Sequence, residues 1–199
     1  MHQNECTLMF KDYLPFWDKL DPSDKRLLCE SSTLTAYPKG TNVHGGSGEC
    51  TGAVFVKSGC LRAYIMSEQG KEVTLYRLYP GDLCMLSASC VLKAITFDVY
   101  IDAEEDSECY VINGRVLAEI TEHNIHAENF ALNMAVERFS DVMWVMQQIL
   151  FMSFDRRLAI FLWDEISKTG DMTVHLTHEQ IAKYMGSARE VVSRMLKYF

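Results

Sequence analysis

The chain has 199 residues, 48% of them hydrophobic and 23% charged, with a formal net charge of −8. That length suits one sizeable core plus a small second one. The acidic balance excludes a body that attracts nucleic acid over its whole surface.

The charge is unevenly spread. Residues 1–152 hold 12 Lys/Arg against 21 Asp/Glu, a net of −9, whereas 153–199 hold 7 against 6, a net of +1. Any phosphate contact therefore has to be local to the C-terminal segment. The N-terminus, Met1-His-Gln-Asn-Glu-Cys6, has no basic region followed by an apolar run, so no export signal is expected. The longest charge-free stretch, Val142–Phe154, is too short to span a bilayer and carries Gln147 and Gln148. Seven cysteines without regular spacing read as reduced, partly buried thiols of a cytoplasmic protein.

In chain order, Phe16–Ser31 begins a helix at Asp21-Pro-Ser-Asp24 and carries Leu and Cys positions suited to lie over a sheet. From about Thr33 to Asn113 come short β-rich runs punctuated by turns: Val54–Lys57, Leu61–Ile65, Val73–Leu78, Phe97–Ile101 and Cys109–Ile112. Alternation in Leu61–Ile65 and Val73–Leu78 predicts strands with one wet face, and the spacing suggests a sandwich or barrel. The acidic run Asp102–Glu108 reads as a solvated hairpin turn, ahead of a cation site or a polymerase contact. His123 and His126 with Glu122 read as a helix start rather than a metal site.

A long helix is predicted over about Ile125–Phe151. Ile125, Leu132, Phe139 and Met146 fall seven apart, and Ala135, Val142 and Ile149 fill the second apolar heptad position. The stripe is too broad for one neighbour, so one side should meet a second copy and another the strand-rich half.

After a hinge at Met152–Asp155, a helix from Arg156 carries Leu158, Phe161, Leu162 and Ile166 as the core of a C-terminal domain. Thr169-Gly170-Asp171 ends it, and Met172–Leu176 reads as a strand-like link. Two helix starts follow. Thr177 with Gln180 has the capping-box pattern, Ser187 with Glu190 repeats it, and Gly186 stops the first helix between them. That is the layout of a helix-turn-helix. On the second helix Val191, Met195 and Tyr198, beside Val192, Leu196 and Phe199, form a face to be buried. Arg189, Glu190, Ser193, Arg194 and Lys197 remain outside. Arginine forks onto guanine, glutamate accepts from cytosine N4, and serine and lysine suit phosphates or base edges. A plain solvated face with a Glu190–Arg194 ion pair is the bland alternative.

The run Ser187–Lys197 resembles the recognition-helix signature of the CRP/FNR family of bacterial transcription regulators. The likeness covers the whole chain, most specifically in Asp155-Arg-Arg-Leu-Ala159 and Thr177–Phe199, and more loosely in the front half through Lys57–Arg62 and Tyr79-Pro-Gly-Asp-Leu83. The resemblance implies an α+β protein in three parts. These are an N-terminal antiparallel β-roll (a double-stranded β-helix) as sensor over 1–121, a dimerisation helix over 122–152, and a helix-turn-helix domain over 153–199. It also implies that Arg189, Glu190 and Arg194 enter the major groove and that Ser193 touches a base; Thr177, Ser187 and Lys197 complete the candidate DNA-binding set. The chain ends at Phe199, before the β-hairpin wing that follows in the family.

The family places an effector in the roll. Cyclic-AMP binders follow the Pro-Gly-Asp turn with a ribose-binding glutamate and a phosphate-binding arginine. Here Cys84–Phe97 holds neither, and Lys93 is the only cation nearby. A phosphate buried without a paired cation is costly, so cyclic AMP is not the expected ligand. The candidate pocket residues are Arg62, Leu83, Cys84, Ser87, Ser89, Cys90 and Thr96, with a Cys84–Cys90 disulfide switch as a minority reading. Iron–sulfur members gather cysteines in an N-terminal tail, which here has Cys6 alone, so no cluster is expected. No metal and no resident cofactor are expected. The expected partners are a palindromic DNA site and a second copy of the chain, with RNA polymerase as a further candidate.

Two rivals are a ligand-binding β-roll that does not bind DNA and a cupin-like enzyme. The enzyme fails on ligand count, because His44 is the only histidine in the strand-rich half.

Overall fold

The computed structural model describes residues 3–45, 51–85 and 98–199. The chain forms two compact units, Met1–Ala63 with Tyr76–Phe139, and Tyr64–Leu75 with Ser140–Phe199.

The chain begins with helix α1 (Gln3–Tyr13), a 3-10 turn at Trp17–Lys19 and α2 (Pro22–Glu30), whose first residue is the proline after extended Asp21. Proline there costs no hydrogen bond, because the first helical N–H has no partner in any case. Among the described residues eight strands follow: β1 (Ser32–Tyr37), β2 (Asn42–His44), β3 (Ala53–Ser58), β4 (Leu61–Met66), β5 (Glu72–Leu78), β6 (Leu83–Cys84), β7 (Tyr100–Ala103) and β8 (Ser107–Ile112). They form two four-stranded sheets, ordered β1-β8-β3-β6 and β2-β7-β4-β5, so the chain changes sheet at nearly every connection. That alternation, with antiparallel pairings such as Leu34↔Tyr110 and Phe55↔Tyr110, makes the expected β-roll. Gly52 has φ +105, and a Cβ there would collide with the Ile112 carbonyl across the β3–β8 pair.

One expectation about the strands is corrected. Leu61–Tyr64 of β4 are all buried, including the Arg62 side chain at 2% exposure. Alternation signalled a wet face, but these four residues are covered on both sides and only Ile65 and Met66 at the end of the strand are exposed. The acidic run is a turn but not the expected hairpin: β7 and β8 on either side belong to different sheets, so it connects the two sheets, and it is only partly solvated. Glu104 pairs with Arg77 at 3.0 Å with both side chains largely buried, and Asp106 accepts from the Lys39 amide.

The first unit's core gathers Phe10 from α1, Leu14 just after it, Leu28 from α2, Phe55 from β3 and Met85. Leu117 and Ile120 of α3 (Gly114–His123) close it. Cys6 and Cys29 are bonded within it, joining α1 to α2 with their Cα atoms 5.7 Å apart. This corrects the reading of all seven cysteines as reduced thiols: the core brings these two within bridging reach. The bridge closes a sequence separation of 23 residues. Opening it, by reduction or by Cys6→Ser, is expected to cost about 3 kcal/mol from loop entropy. A fall in Tm on adding dithiothreitol, absent in Cys6→Ser, measures it. Cys60, Cys84 and Cys109 are buried and outside that bridge, and burial pushes the Cys109 thiol up to about 11. Such a thiol is an inert hydrophobe at neutral pH.

His123, in the last turn of α3, faces Asp24 of α2 at Nε2–Oδ2 2.9 Å. The hydrogen bond to Asp24 holds its pKa above the ordinary imidazole value. The folded state therefore gains stability below that ordinary value, and loses the gain as pH rises through the raised one. Thermal unfolding should show His123→Gln less stable than the parent near about pH 5.5 and equal to it near about pH 8.5. His44 runs the opposite way. Burial depresses its pKa, so its contribution is lost as pH falls through the depressed value.

Helix α4 (Ile125–Phe151) starts on Asn124, whose Oδ1 accepts from the His126 and Ala127 amides. Asn124, not the histidine pair, is the cap. Among the described residues no group of His, Cys, Asp and Glu could hold a metal ion, and no helix is long and apolar enough to cross a membrane.

Candidate nucleic-acid interface

In the second unit α5 (Phe154–Thr169) ends on Gly170 in the left-handed conformation, as expected from Thr169-Gly170-Asp171. The link 171–176 forms no strand; Asp171 instead folds back to accept from the Thr173 amide at 2.9 Å. β-rich composition alone does not make a strand without a neighbour to pair with.

Helix α6 (His178–Met185) starts on the capping box read from the sequence. The Thr177 amide donates to Gln180 Oε1 at 2.8 Å, and the Gln180 amide to Thr177 Oγ1 at 3.2 Å. Such a cap is worth about 1 kcal/mol. Gly186, at φ +58, turns the chain sharply, and its amide and that of Ser187 both bond the Ala182 carbonyl. Space is tight there, since a Cβ at Gly186 would sit 3.0 Å from Val73 Cγ2. Helix α7 (Arg189–Leu196) follows. Its cap is Ala188, with no side-chain bond, which corrects the second capping box. The turn's own backbone bonds hold Ser187 one residue too early to cap.

Leu158, Ile181, Ala182, Met185 and Val192 are buried together and lock α5, α6 and α7. Met195 and Leu196 pack on them in part. Tyr198 and Phe199 do not, at 82% and 63% exposure, because the helix stops at Leu196 and they leave its periodicity.

The opposite face of α7 is an open groove lined by Arg189, Glu190, Ser193, Arg194 and Lys197. All are exposed except half-buried Ser193. Among the described residues no carboxylate pairs with Arg189, Arg194 or Lys197, so the Glu190–Arg194 ion pair does not form. Arg189, Glu190 and Arg194 on α7, and Lys197 at its C-terminal cap, thus project into solvent, and a helix about 10–12 Å across with its side chains fits the width of a DNA major groove. Thr177, by contrast, spends its hydroxyl on the cap, with Oγ1 3.0 Å from Gln180 Oε1.

The Crp-like helix-turn-helix domain model matches residues 156–199, and the cyclic nucleotide-binding domain model matches 34–124. A crystal structure from Eubacterium rectale, of a protein assigned to the Crp/Fnr family of transcriptional regulators, is 42% identical to this chain. It superposes with a TM-score of 0.90 over 94% of this chain and 87% of that one. The chain belongs to the CRP/FNR family.

Two more distant structures share the fold. The c-di-GMP-responsive global regulator CLP of Xanthomonas campestris is 18% identical, with a TM-score of 0.72 over 89% of this chain and 91% of its own. FixK2 of Bradyrhizobium japonicum is also 18% identical, with a TM-score of 0.69 over 84% and 83%. No curated protein matches. As a CRP/FNR regulator the chain is a DNA-binding transcription factor, and its domains are those of regulators rather than enzymes.

The candidate effector residues are described only in part. Arg62, Leu83 and Cys84 are buried in the roll, and the Tyr76 hydroxyl lies 3.9 Å from Cys84 Sγ. Ser87, Ser89, Cys90 and Thr96 lie outside the described residues, and the Cys84–Cys90 switch with them.

Helix α4 divides as its breadth requires. Ala127 and Ala131 are buried in the first unit's core, where Phe130 and Met134 pack in part. Ile125, Leu132, Phe139, Met146 and Ile149 are exposed at 45–64%, while Ala135 and Val142 are half-buried.

Two contacts escaped the sequence. Lys183 of α6 pairs with Glu72 at 3.2 Å and lies over the Tyr64 ring. His178, first residue of α6, places Nδ1 2.7 Å from Ser193 Oγ on α7. The partners are far apart in sequence, and neither element announces the other.

Proposed function

We propose that this CRP/FNR regulator acts as a cytoplasmic homodimer that binds a palindromic DNA site. Arg189, Glu190, Ser193 and Arg194 would read bases while Lys197, the Ser187 region and the α6 start at Thr177 meet phosphates. The observation that carries this reading is the α7 groove, where Arg189, Arg194 and Lys197 stand exposed with no carboxylate paired to them among the described residues. A row of large apolar side chains along α4 supports the dimer, since a monomer gains nothing by leaving it wet. Two-fold pairing along α4 would set two recognition helices about one DNA turn apart.

The parts divide as a sensor over 1–121, a dimer helix over 122–152 and a DNA-binding domain over 153–199. The sensor would take an effector other than cyclic AMP, without a resident cofactor, in a pocket that includes Arg62, Leu83 and Cys84. Effector binding would shift the population of α4 arrangements and so the spacing of the two α7 helices. RNA polymerase is the natural further partner of a bound activator.

Selection from random duplexes by gel shift tests the reading. A palindrome with half-sites about ten base pairs apart is expected. Failure to enrich any motif overturns it.

A further inference from the structure

Ser193 is the one groove residue whose hydrogen-bonding character is not fixed by its own chemistry. Arginine and lysine only donate and glutamate only accepts, but a hydroxyl does either. In solution it rotates, and would accept from an amino group on adenine or cytosine as readily as it donates to a carbonyl on guanine or thymine. By itself Ser193 discriminates little.

The structure removes that freedom. His178 Nδ1 stands 2.7 Å from Ser193 Oγ, well within hydrogen-bond range. The two side chains come from different helices, α6 and α7, separated by 15 residues. Those helices are fixed against each other by the Gly186 turn and by buried Ile181, Ala182, Met185 and Val192. The approach is therefore built into the rigid part of the domain and does not depend on a mobile surface chain.

We propose that His178 is a positioning residue that sets the hydrogen-bonding polarity of Ser193 toward the base it faces. The inference is for the tautomer in which Nδ1 carries no hydrogen and accepts: Ser193 then donates its only hydrogen to His178 and offers lone pairs alone, selecting an amino group. In the other tautomer Ser193 would keep its hydrogen and a second lone pair and remain a two-way group, so the base preference itself reports which tautomer is present. The inference rests on Ser193 facing a base, as in the proposed function.

The test is base preference, which a merely structural role would not move. Selection from random duplexes is run on the full-length parent and on His178→Phe, Ser193→Ala and the double variant. Phenylalanine keeps a ring at an exposed site and removes the nitrogen, and a matched circular dichroism melt confirms that the fold is retained. His178→Asn serves as the second variant if the first does not fold.

The expected result is loss of discrimination between amino-bearing and carbonyl-bearing bases at one position per half-site. The loss should be about three- to tenfold, the value of one hydrogen bond, with other positions unchanged. Ser193→Ala should relax the same position, and the double variant should add nothing. Two results overturn the inference: an unchanged preference, or a uniform loss of affinity, which would make His178 a phosphate contact. If the parent enriches a motif and His178→Phe keeps it intact, this inference alone fails. If the parent enriches none, the DNA reading beneath it fails.

Discussion

Replacing Leu132 and Phe139 together by aspartate is expected to yield a folded monomer that no longer holds a two-half-site duplex. Both side chains are more than half exposed in the single chain, and neither belongs to its buried core. The inward residues Ala127 and Ala131 are untouched, so the β-roll should keep its packing. In a dimer the same positions would bury four carboxylates with no partners, which is prohibitive. DNA affinity should fall at least about a hundredfold, because linking two half-site contacts multiplies affinity by roughly that factor or more. Light scattering reports the mass and gel shift the affinity. A double variant that stays dimeric would show that another surface joins the subunits.

Alanine at Arg189 and Arg194 should act differently, leaving assembly intact and striking recognition. Each loss is expected to cost roughly 1–3 kcal/mol and to relax selectivity at one base pair per half-site. Removing both should bring the preferred site close to the affinity of random duplex. Lys197→Ala provides the contrast: a uniform weakening over all sequences with a shallower salt dependence. Competition gel shifts against scrambled duplex separate the two patterns. A protein whose helix-turn-helix is only structural would show neither.

How much of this could be read from the chain follows from which interactions are local. The capping box at Thr177 and Gln180 depends on residues three apart, and the glycine stops at Gly170 and Gly186 on single residues, so all three were legible. The seven-residue spacing of Ile125, Leu132, Phe139 and Met146 gave the long helix and its outward stripe. Ser187 misled because a helix-start motif says nothing about how tightly the preceding turn closes, and the bonds to Ala182 decide that. Arg62 misled because alternation reports polarity rather than what covers the polar side. The Cys6–Cys29 bridge, the Glu72–Lys183 pair and the His178–Ser193 contact join positions 15 to 111 residues apart. No periodicity in a single sequence carries such information.

The Glu72–Lys183 pair has a thermodynamic corollary. A basic group gains free energy from a duplex largely by expelling the small cations condensed around it. Lys183 arrives with its neutralising carboxylate already in place, so it expels none on the protein's account. The Glu72 carboxylate at the start of β5 thus subtracts about one charge per subunit from the non-specific attraction and leaves the sequence-reading arginines alone. A regulator whose body is already acidic thereby spends less of its time on the wrong stretches of a chromosome.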